Sequence, residues 1–389
     1  MFRPPTCGEP RWLPEMAVVM QVANFFGPQS GGLKTTLMSL ARSLETFGHD
    51  VYTVVPGDCT RTSRSDRHTV CEIQASRVPG LAGYRVITNR QILRHILDTV
   101  RPDALCISDR TTLLWAAHWA QATGTPVSFI AHERVDGVLR TFLPWLPARR
   151  LADLWNRRLA KIGPAIICTT SFAAEEFARI GAPVLRVPLG VDLDEFNPSL
   201  RSEDLRDSFS TRTLVGLVCR LSREKRPDFA IEVMKELAGT RPDIHLVVAG
   251  DGPLRRRLER QAAELPVSFL GYIADRGQLA RLLASLDVIL APGPIETFGL
   301  AALESMASGT PVVANARSGV AEVVGLFGGR VIPLHAPAWA DAVMHLAGGP
   351  EASHRRARAR LRAEEFSWDV TVRRLLAIHH IHDELDPAA

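Results

Sequence analysis

The chain is poor in the features that would assign it to several large classes of protein. Its 389 residues hold six cysteines, at positions 7, 59, 71, 106, 168 and 219, and no two are spaced as C-x-x-C. That excludes a zinc ribbon and gives no disulfide framework, so reduced thiols and no structural metal are expected. No apolar run approaches the roughly 18 residues of a membrane span. The stretch from Met1 to Arg11 is Pro-rich and polar, without the apolar centre of a secretory signal, so a cytoplasmic location is expected. Neither sign of charge dominates. The count of 46 Lys and Arg against 42 Asp and Glu leaves a formal charge of +4, a weak preference for anionic partners and no case for a nucleic-acid partner. There is no internal repeat and no low-complexity segment. The 46% apolar and 23% charged residues are ordinary for a soluble globular protein, and the length suffices for two domains.

Short β-rich runs alternate with helical patterns. Strands are expected at Met16–Ala23, Val51–Val55, Ala104–Ser108, Val127–Ala131, Ala165–Thr169 and Val184–Val187, with a helix over Leu33–Phe47. A polar stretch ending near Arg212 reads as a linker. The alternation then restarts with strands at Leu214–Cys219, Ile244–Ala249, Val267–Leu270, Val288–Leu290, Pro311–Ala314 and Arg330–Ile332. Two successive βα alternations predict an α/β protein of two Rossmann-like, doubly wound domains facing a cleft. The expected boundaries are 1–195, 196–368 and a terminal helix over 369–389. Ligands of such sheets bind beyond the strand C-termini, so the cleft is the expected site.

The richest stretch runs from Gly293 to Pro311. It carries Glu296 and Glu304 with seven residues between them, after the apolar run Asp287–Pro292. The pattern predicts strand, turn and helix, with Glu296 at the helix entrance. Phe298, Gly299 and Leu300 would then offer unpaired N–H groups, which attract phosphate. Eight helical steps would separate the carboxylates by about 12 Å. That length suits a nucleotide-sugar, with one carboxylate at each end and phosphate between. Upstream, Gly27-Pro-Gln-Ser-Gly-Gly-Leu-Lys-Thr35 nearly forms a Walker A loop, but Leu33 separates Gly32 from Lys34. Gly31 and Gly32 still allow close backbone approach to a phosphate. Gly216–Pro227 ends a strand with clustered cations, Arg220 and Lys225 among them. Ile130-Ala-His-Glu-Arg134 places His132 at a strand end.

These strings together resemble the retaining glycosyltransferases of family 4, which have the GT-B fold. The resemblance runs from Gln21 to about Trp368. It is nearest to the GDP-mannose-dependent mannosyltransferases that elongate phosphatidylinositol mannosides. It implies that Arg220 and Lys225 contact the donor diphosphate, that His132 lies beside the transferred sugar, and that Gly31 and Gly32 border donor phosphate and acceptor. Glu296 would hold the sugar and Glu304 the ribose, with the Phe298–Leu300 amides on phosphate and the segment around Tyr272 on the nucleobase. No cofactor or metal would be required; the donor would be GDP-mannose and the acceptor lipid-linked. Two positions depart from the family's Gly-Arg-Leu-Ser-x-Glu-Lys-Gly element, Cys219 and Arg226, each in place of Gly. The residues alone do not separate guanine from uracil. A sugar-nucleotide epimerase or hydrolase, or a transferase using a UDP-sugar, is the rival reading.

Three further strings carry weaker signals. Asp192-Leu-Asp194 has the D-x-D form that holds a metal in other transferases, but here it belongs to the Pro-Leu-Gly-Val-Asp element. His379, His380 and His382 have the makings of a metal site, but on the terminal helix they read as surface histidines. Over Leu139–Ile162 the aromatic residues Phe142, Trp145 and Trp155 mix with cations. On a helix from Ala148, Leu151, Leu154, Trp155, Leu159 and Ile162 share a stripe, flanked by Arg150, Arg157 and Lys161. Such a helix either lies on an anionic membrane, which would place the protein on the inner face of the plasma membrane, or packs into the core with a solvated flank.

Overall fold

A computed structural model describes residues 16–27, 31–78, 83–209, 211–239 and 243–381. Among these, eight strands form one sheet, in the spatial order Leu185–Arg186, Ala165–Cys168, Val127–Ala131, Ala104–Ile107, Val18–Val22, Asp50–Gly57, His68–Gln74 and Arg61–Ser65. Every pairing is parallel except the last. The central strands are mostly apolar because helices cover both faces, and Ala104–Ile107 is apolar and buried at each position. The outer hairpin is absent from the sequence expectations. Its edge strand, Arg61–Ser65, is exposed throughout and lacks an apolar period, and a polar edge of this kind resists pairing with other chains.

A second sheet of six strands is wholly parallel, in the order Val267–Gly271, Ile244–Ala249, Thr213–Val218, Val288–Ala291, Val312–Asn315 and Gly329–Ile332. Strand order reverses beside Val18–Val22 in the first sheet and beside Thr213–Val218 in the second. Ligand crevices open at such reversals. The glycine loop follows the first of these strands and Arg220 the second.

The stretch before Arg212, read from the sequence as a linker, has structure of its own. It carries a short helix, Glu203–Asp207, and buried Arg206 pairs with Asp287 at 3.1 Å. Two chain crossings run side by side between the domains. Val191 bridges Ser367, and a Cβ at Gly190 would come within 2.2 Å of the Trp368 nitrogen, so only glycine fits there. Beyond the crossing, helix Trp368–Ile378 packs on helix Gly32–Thr46, where Ser43 Oγ donates to Asp369 at 2.9 Å. His379 is buried, contrary to the surface reading. Its ring lies 3.0 Å from Ser128 Oγ and 3.5 Å from Cys106 Sγ, and burial lowers its pKa to about 4. His380 is exposed, and His382 lies outside the described residues.

Helix Ala148–Ile162 buries Ala148, Ala152, Asn156, Leu159 and Ile162. Leu154, expected on that stripe, is 44% exposed. It stands four residues from Arg150 and three from Arg157, so it shares their face. Among the described residues no helix is long and apolar enough to cross a membrane.

Candidate active site in the cleft

Strand Val288–Ala291 leads into a turn before helix Leu300–Ala307. Glu296 lies in that turn, not at the helix entrance, so the expected eight helical steps do not describe its separation from Glu304. The helix begins later because Gly299 adopts φ 86°, and a Cβ there would meet Val320 Cγ2 at 2.6 Å. The N–H groups of Phe298, Gly299 and Leu300 find no acceptor among the described residues, leaving a helix N-terminus open to an anion. Across the cleft a Cβ at Gly32 would lie 3.9 Å from Leu300 Cδ1, whereas one at Gly31 would meet nothing. The glycine loop therefore faces this N-terminus with room between them. Residues 28–30 of that loop lie outside the described residues, and Lys34 is exposed.

Lys225 and Glu296 form an ion pair through Nζ and Oε2. Burial opposes the charged lysine, but Glu296 outweighs it and holds the ammonium above the ordinary lysine range. Arg226, in place of the family's glycine, has φ 51°. This left-handed backbone accounts for glycine at that position in the family. Here the side chain is tied to Asp228 at 3.1 Å and lies over the Phe229 ring. A non-glycine residue in this conformation costs on the order of 1 kcal/mol or more.

Threonine side chains bring His132 to the same place. Thr297 Oγ1 donates to the His132 carbonyl at 2.6 Å, and Thr170 Oγ1 donates to the Thr297 carbonyl at 2.7 Å. Glu322 reaches across to accept from the Ser171 and Phe172 N–H groups at 2.9 and 2.8 Å. Burial lowers the His132 pKa to about 4, so the ring is neutral at physiological pH. Its Nε2 is buried without a hydrogen-bond partner. A buried orphan of this kind suits a ligand hydroxyl.

Glu304 is buried in the helix behind this site. Burial raises its pKa to about 7, against the opposing pull of Arg276. Arg276 Nη2 lies 3.3 Å from Glu304 and 2.8 Å from Glu195, Nη1 lies 3.4 Å from Thr35 Oγ1, and the guanidinium rests on the Phe196 ring. One arginine thus joins the inner carboxylate to the crossing segment and to the glycine-loop helix. Nothing local in the sequence marks Arg276 or Glu195 for this role.

The other predicted residues are more dispersed. Arg220 extends to the first domain. Tyr272 follows strand Val267–Gly271, is 42% exposed, and makes no hydrogen bond to the Lys225–Glu296 pair. Asp192 accepts from the Asp194 and Glu195 N–H groups at 3.1 and 2.9 Å and lies 3.5 Å from Arg42, a turn-stabilising arrangement.

Residues 203–362 match the family model for "Glycosyl transferases group 1", and residues 30–195 match that for "Glycosyltransferase Family 4". The chain is 44% identical over 368 residues to a GDP-mannose-dependent alpha-(1-6)-phosphatidylinositol dimannoside mannosyltransferase of Mycobacterium tuberculosis, covering 92% of this chain and 95% of that protein. It is 30% identical over 311 residues to a GDP-mannose-dependent alpha-mannosyltransferase of Mycolicibacterium smegmatis, covering 78% and 80%. The solved sucrose-phosphate synthase of Thermosynechococcus elongatus superposes with a TM-score of 0.76 at 18% identity, over 93% of this chain and 98% of that one. That likeness bears on the fold, which is GT-B. With both halves matched and a near full-length relative at this identity, the chain belongs to glycosyltransferase family 4 and is a glycosyltransferase.

Proposed function

We propose that the chain transfers mannose from GDP-mannose to a lipid-linked mannoside, with retention of anomeric configuration. The observation that carries this reading is the 44% identity, over 92% of the chain, to a GDP-mannose-dependent phosphatidylinositol dimannoside mannosyltransferase. In the proposed reaction the acceptor hydroxyl attacks the anomeric carbon from the face that the diphosphate leaves. The new C–O bond forms as the bond to phosphate breaks, and a departing phosphate oxygen takes the hydroxyl proton. Charge grows on the leaving diphosphate, where Arg220, Lys225 and the Phe298–Leu300 amides stabilise it. Glu296 orients both Lys225 and the sugar. His132 is neutral, so it offers the sugar one hydrogen bond through Nε2 and is not a reservoir of protons. The two glutamates do not flank one bond as glycosidase carboxylates do. Glu304 takes the ribose hydroxyls and Tyr272 borders the base.

The test is incubation with GDP-mannose, with and without a phosphatidylinositol mannoside fraction, and in parallel with UDP-sugars. GDP release and an α-mannosylated lipid are expected only when GDP-mannose and acceptor are both present. Free mannose without acceptor, or turnover with a UDP-sugar, would replace the reading with its rivals.

Glu304 adds a pH dependence. An ionised carboxylate is the better acceptor for ribose hydroxyls, and a group with a pKa of about 7 ionises as pH rises through that value. GDP affinity is therefore expected to rise about tenfold from pH 6 to pH 8, following the ionised fraction. Glu304→Gln should bind weakly and without that slope. Calorimetry giving the same slope in both proteins would remove Glu304 from the ribose site.

A lipid acceptor calls for membrane contact, and residues 139–162 support it. Trp145 is 74% exposed, and Phe142 and Leu154 are exposed with it. Around them stand exposed Arg149, Arg150, Arg157, Arg158 and Lys161, with no ion-pair partner among the described residues. Aromatic and basic groups together suit an anionic interface, at about 1 kcal/mol per cation, screened by salt. Sedimentation with anionic vesicles is expected to show binding that falls as salt rises. The combined variant Arg150→Glu, Arg157→Glu and Lys161→Glu should lose it while still binding GDP. Unchanged sedimentation of that variant would show that this helix is not the anchor.

A further inference from the structure

Most arginines of the cleft are engaged by carboxylates, as Arg276 is by Glu195 and Glu304, and Arg110 by Glu176. Arg220 is different. Its guanidinium meets no carboxylate and no hydrogen-bond acceptor among the described residues, and instead lies over the ring of Tyr84, 4.6 Å from the centroid. Tyr84 belongs to the first domain and Arg220 to the second, so the contact spans the cleft. The backbone around Tyr84 is well tied. Val78 N–H donates to the Tyr84 carbonyl at 2.8 Å, and Arg85 N–H donates to the Phe26 carbonyl at 3.0 Å. Arg85 Nη1 donates to the Ala75 carbonyl at 2.5 Å. A Cβ at Gly27 would come within 2.8 Å of the Gly83 carbonyl oxygen, so this segment abuts the start of the glycine loop.

The choice of partner has a chemical consequence. A carboxylate would orient Arg220 firmly, but it would neutralise the guanidinium and occupy the donors that an anion needs. An aromatic ring holds the guanidinium by its face and leaves all five in-plane N–H groups and the full charge available. We infer that Tyr84 is a positioning residue of the donor site: its ring clamps the face of Arg220 and aims the in-plane donors at a pyrophosphate oxygen in the cleft. The clamp forms only when the two domains are together, so it couples the engagement of Arg220 to closure. This inference rests on the reading of Arg220 as a diphosphate contact.

Four variants test it: Tyr84→Phe, Tyr84→Leu, Arg220→Ala and the double variant Tyr84→Leu/Arg220→Ala. Donor KM and the Kd for GDP are read beside acceptor KM and Tm. Tyr84→Leu is expected to raise donor KM and GDP Kd about threefold to tenfold, the scale of a partly exposed cation–π contact. Acceptor KM and Tm should stay at wild-type values. Tyr84→Phe keeps the ring and should stay within twofold of wild type. On the Arg220→Ala background, Tyr84→Leu should add nothing, because its effect passes through the guanidinium. Additive losses, a Phe variant as impaired as the Leu variant, or a change confined to acceptor KM or Tm would overturn the inference. Unchanged GDP binding by Arg220→Ala would instead overturn the diphosphate reading itself. Weakened binding by Arg220→Ala beside a neutral Tyr84→Leu would sink the clamp alone.

Discussion

Replacing Lys225 with alanine is expected to raise the barrier to transfer by about 2–4 kcal/mol, with a similar loss for Arg220→Ala. The expectation follows from where charge grows in the proposed reaction. The leaving diphosphate gains negative charge as the glycosidic bond breaks. A cation already fixed there stabilises that charge without reorganising. Lys225 is fixed by its pair with Glu296, which keeps the ammonium charged despite burial. Its removal also leaves Glu296 without a counter-charge. Glu296→Gln separates the two effects, since it keeps shape and Lys225 while abolishing the carboxylate; it should fold normally and lose most transfer. Turnover at saturating GDP-mannose is the measurement. Near-normal rates for both Lys225→Ala and Arg220→Ala would refute the assignment of these cations to the diphosphate.

Arg110→Met is expected to destabilise the protein by about 3–5 kcal/mol, measured from denaturant midpoints. Arg110 and Glu176 form an ion pair at 2.8 Å with side chains 3% and 0% exposed. Arg110 also donates to Asn156 at 2.8 Å and lies against the Phe129 and Phe177 rings. Taking away the arginine strands a carboxylate where water cannot reach it. The pair has a second role, because Arg110 donates to the Glu133 carbonyl at 2.7 Å and Glu176 accepts from the Asp136 N–H at 2.6 Å. Both ends of the turn after His132 hang on this one pair. The double variant Arg110→Met/Glu176→Leu should therefore recover much of the stability, since no lone charge stays buried, but not the activity. Full recovery of both would show that the pair does not position His132.

Much of the architecture was legible from local pattern. Parallel strands covered on both faces are predominantly apolar along their length, so runs such as Val127–Ala131 and Ile244–Ala249 announce themselves within a residue or two. The strand–turn–helix around Glu296 was legible for the same reason, but the helix start was not. The left-handed backbone at Gly299 and the close approach of Val320 both favour glycine there, and that neighbour is brought close only by the fold. The hairpin at 61–74 went unseen because an exposed edge strand needs no apolar period. His379 was misread because its surroundings, Cys106 and Ser128, belong to the other domain.

By itself the sequence determined two doubly wound domains and a family-4 set of glutamates, cations and glycines, because each depends on residue types at short, fixed spacing. The tertiary structure alone decided what those groups face and how they titrate. Burial makes His132 a neutral ring with an orphan nitrogen and brings Glu304 to a pKa of about 7. Packing chose Arg276 for Glu304, Arg110 for the turn after His132 and Tyr84 for Arg220. Such partners lie far apart in the chain, and desolvation is a property of the whole surroundings, so neither leaves a local trace in the order of residues.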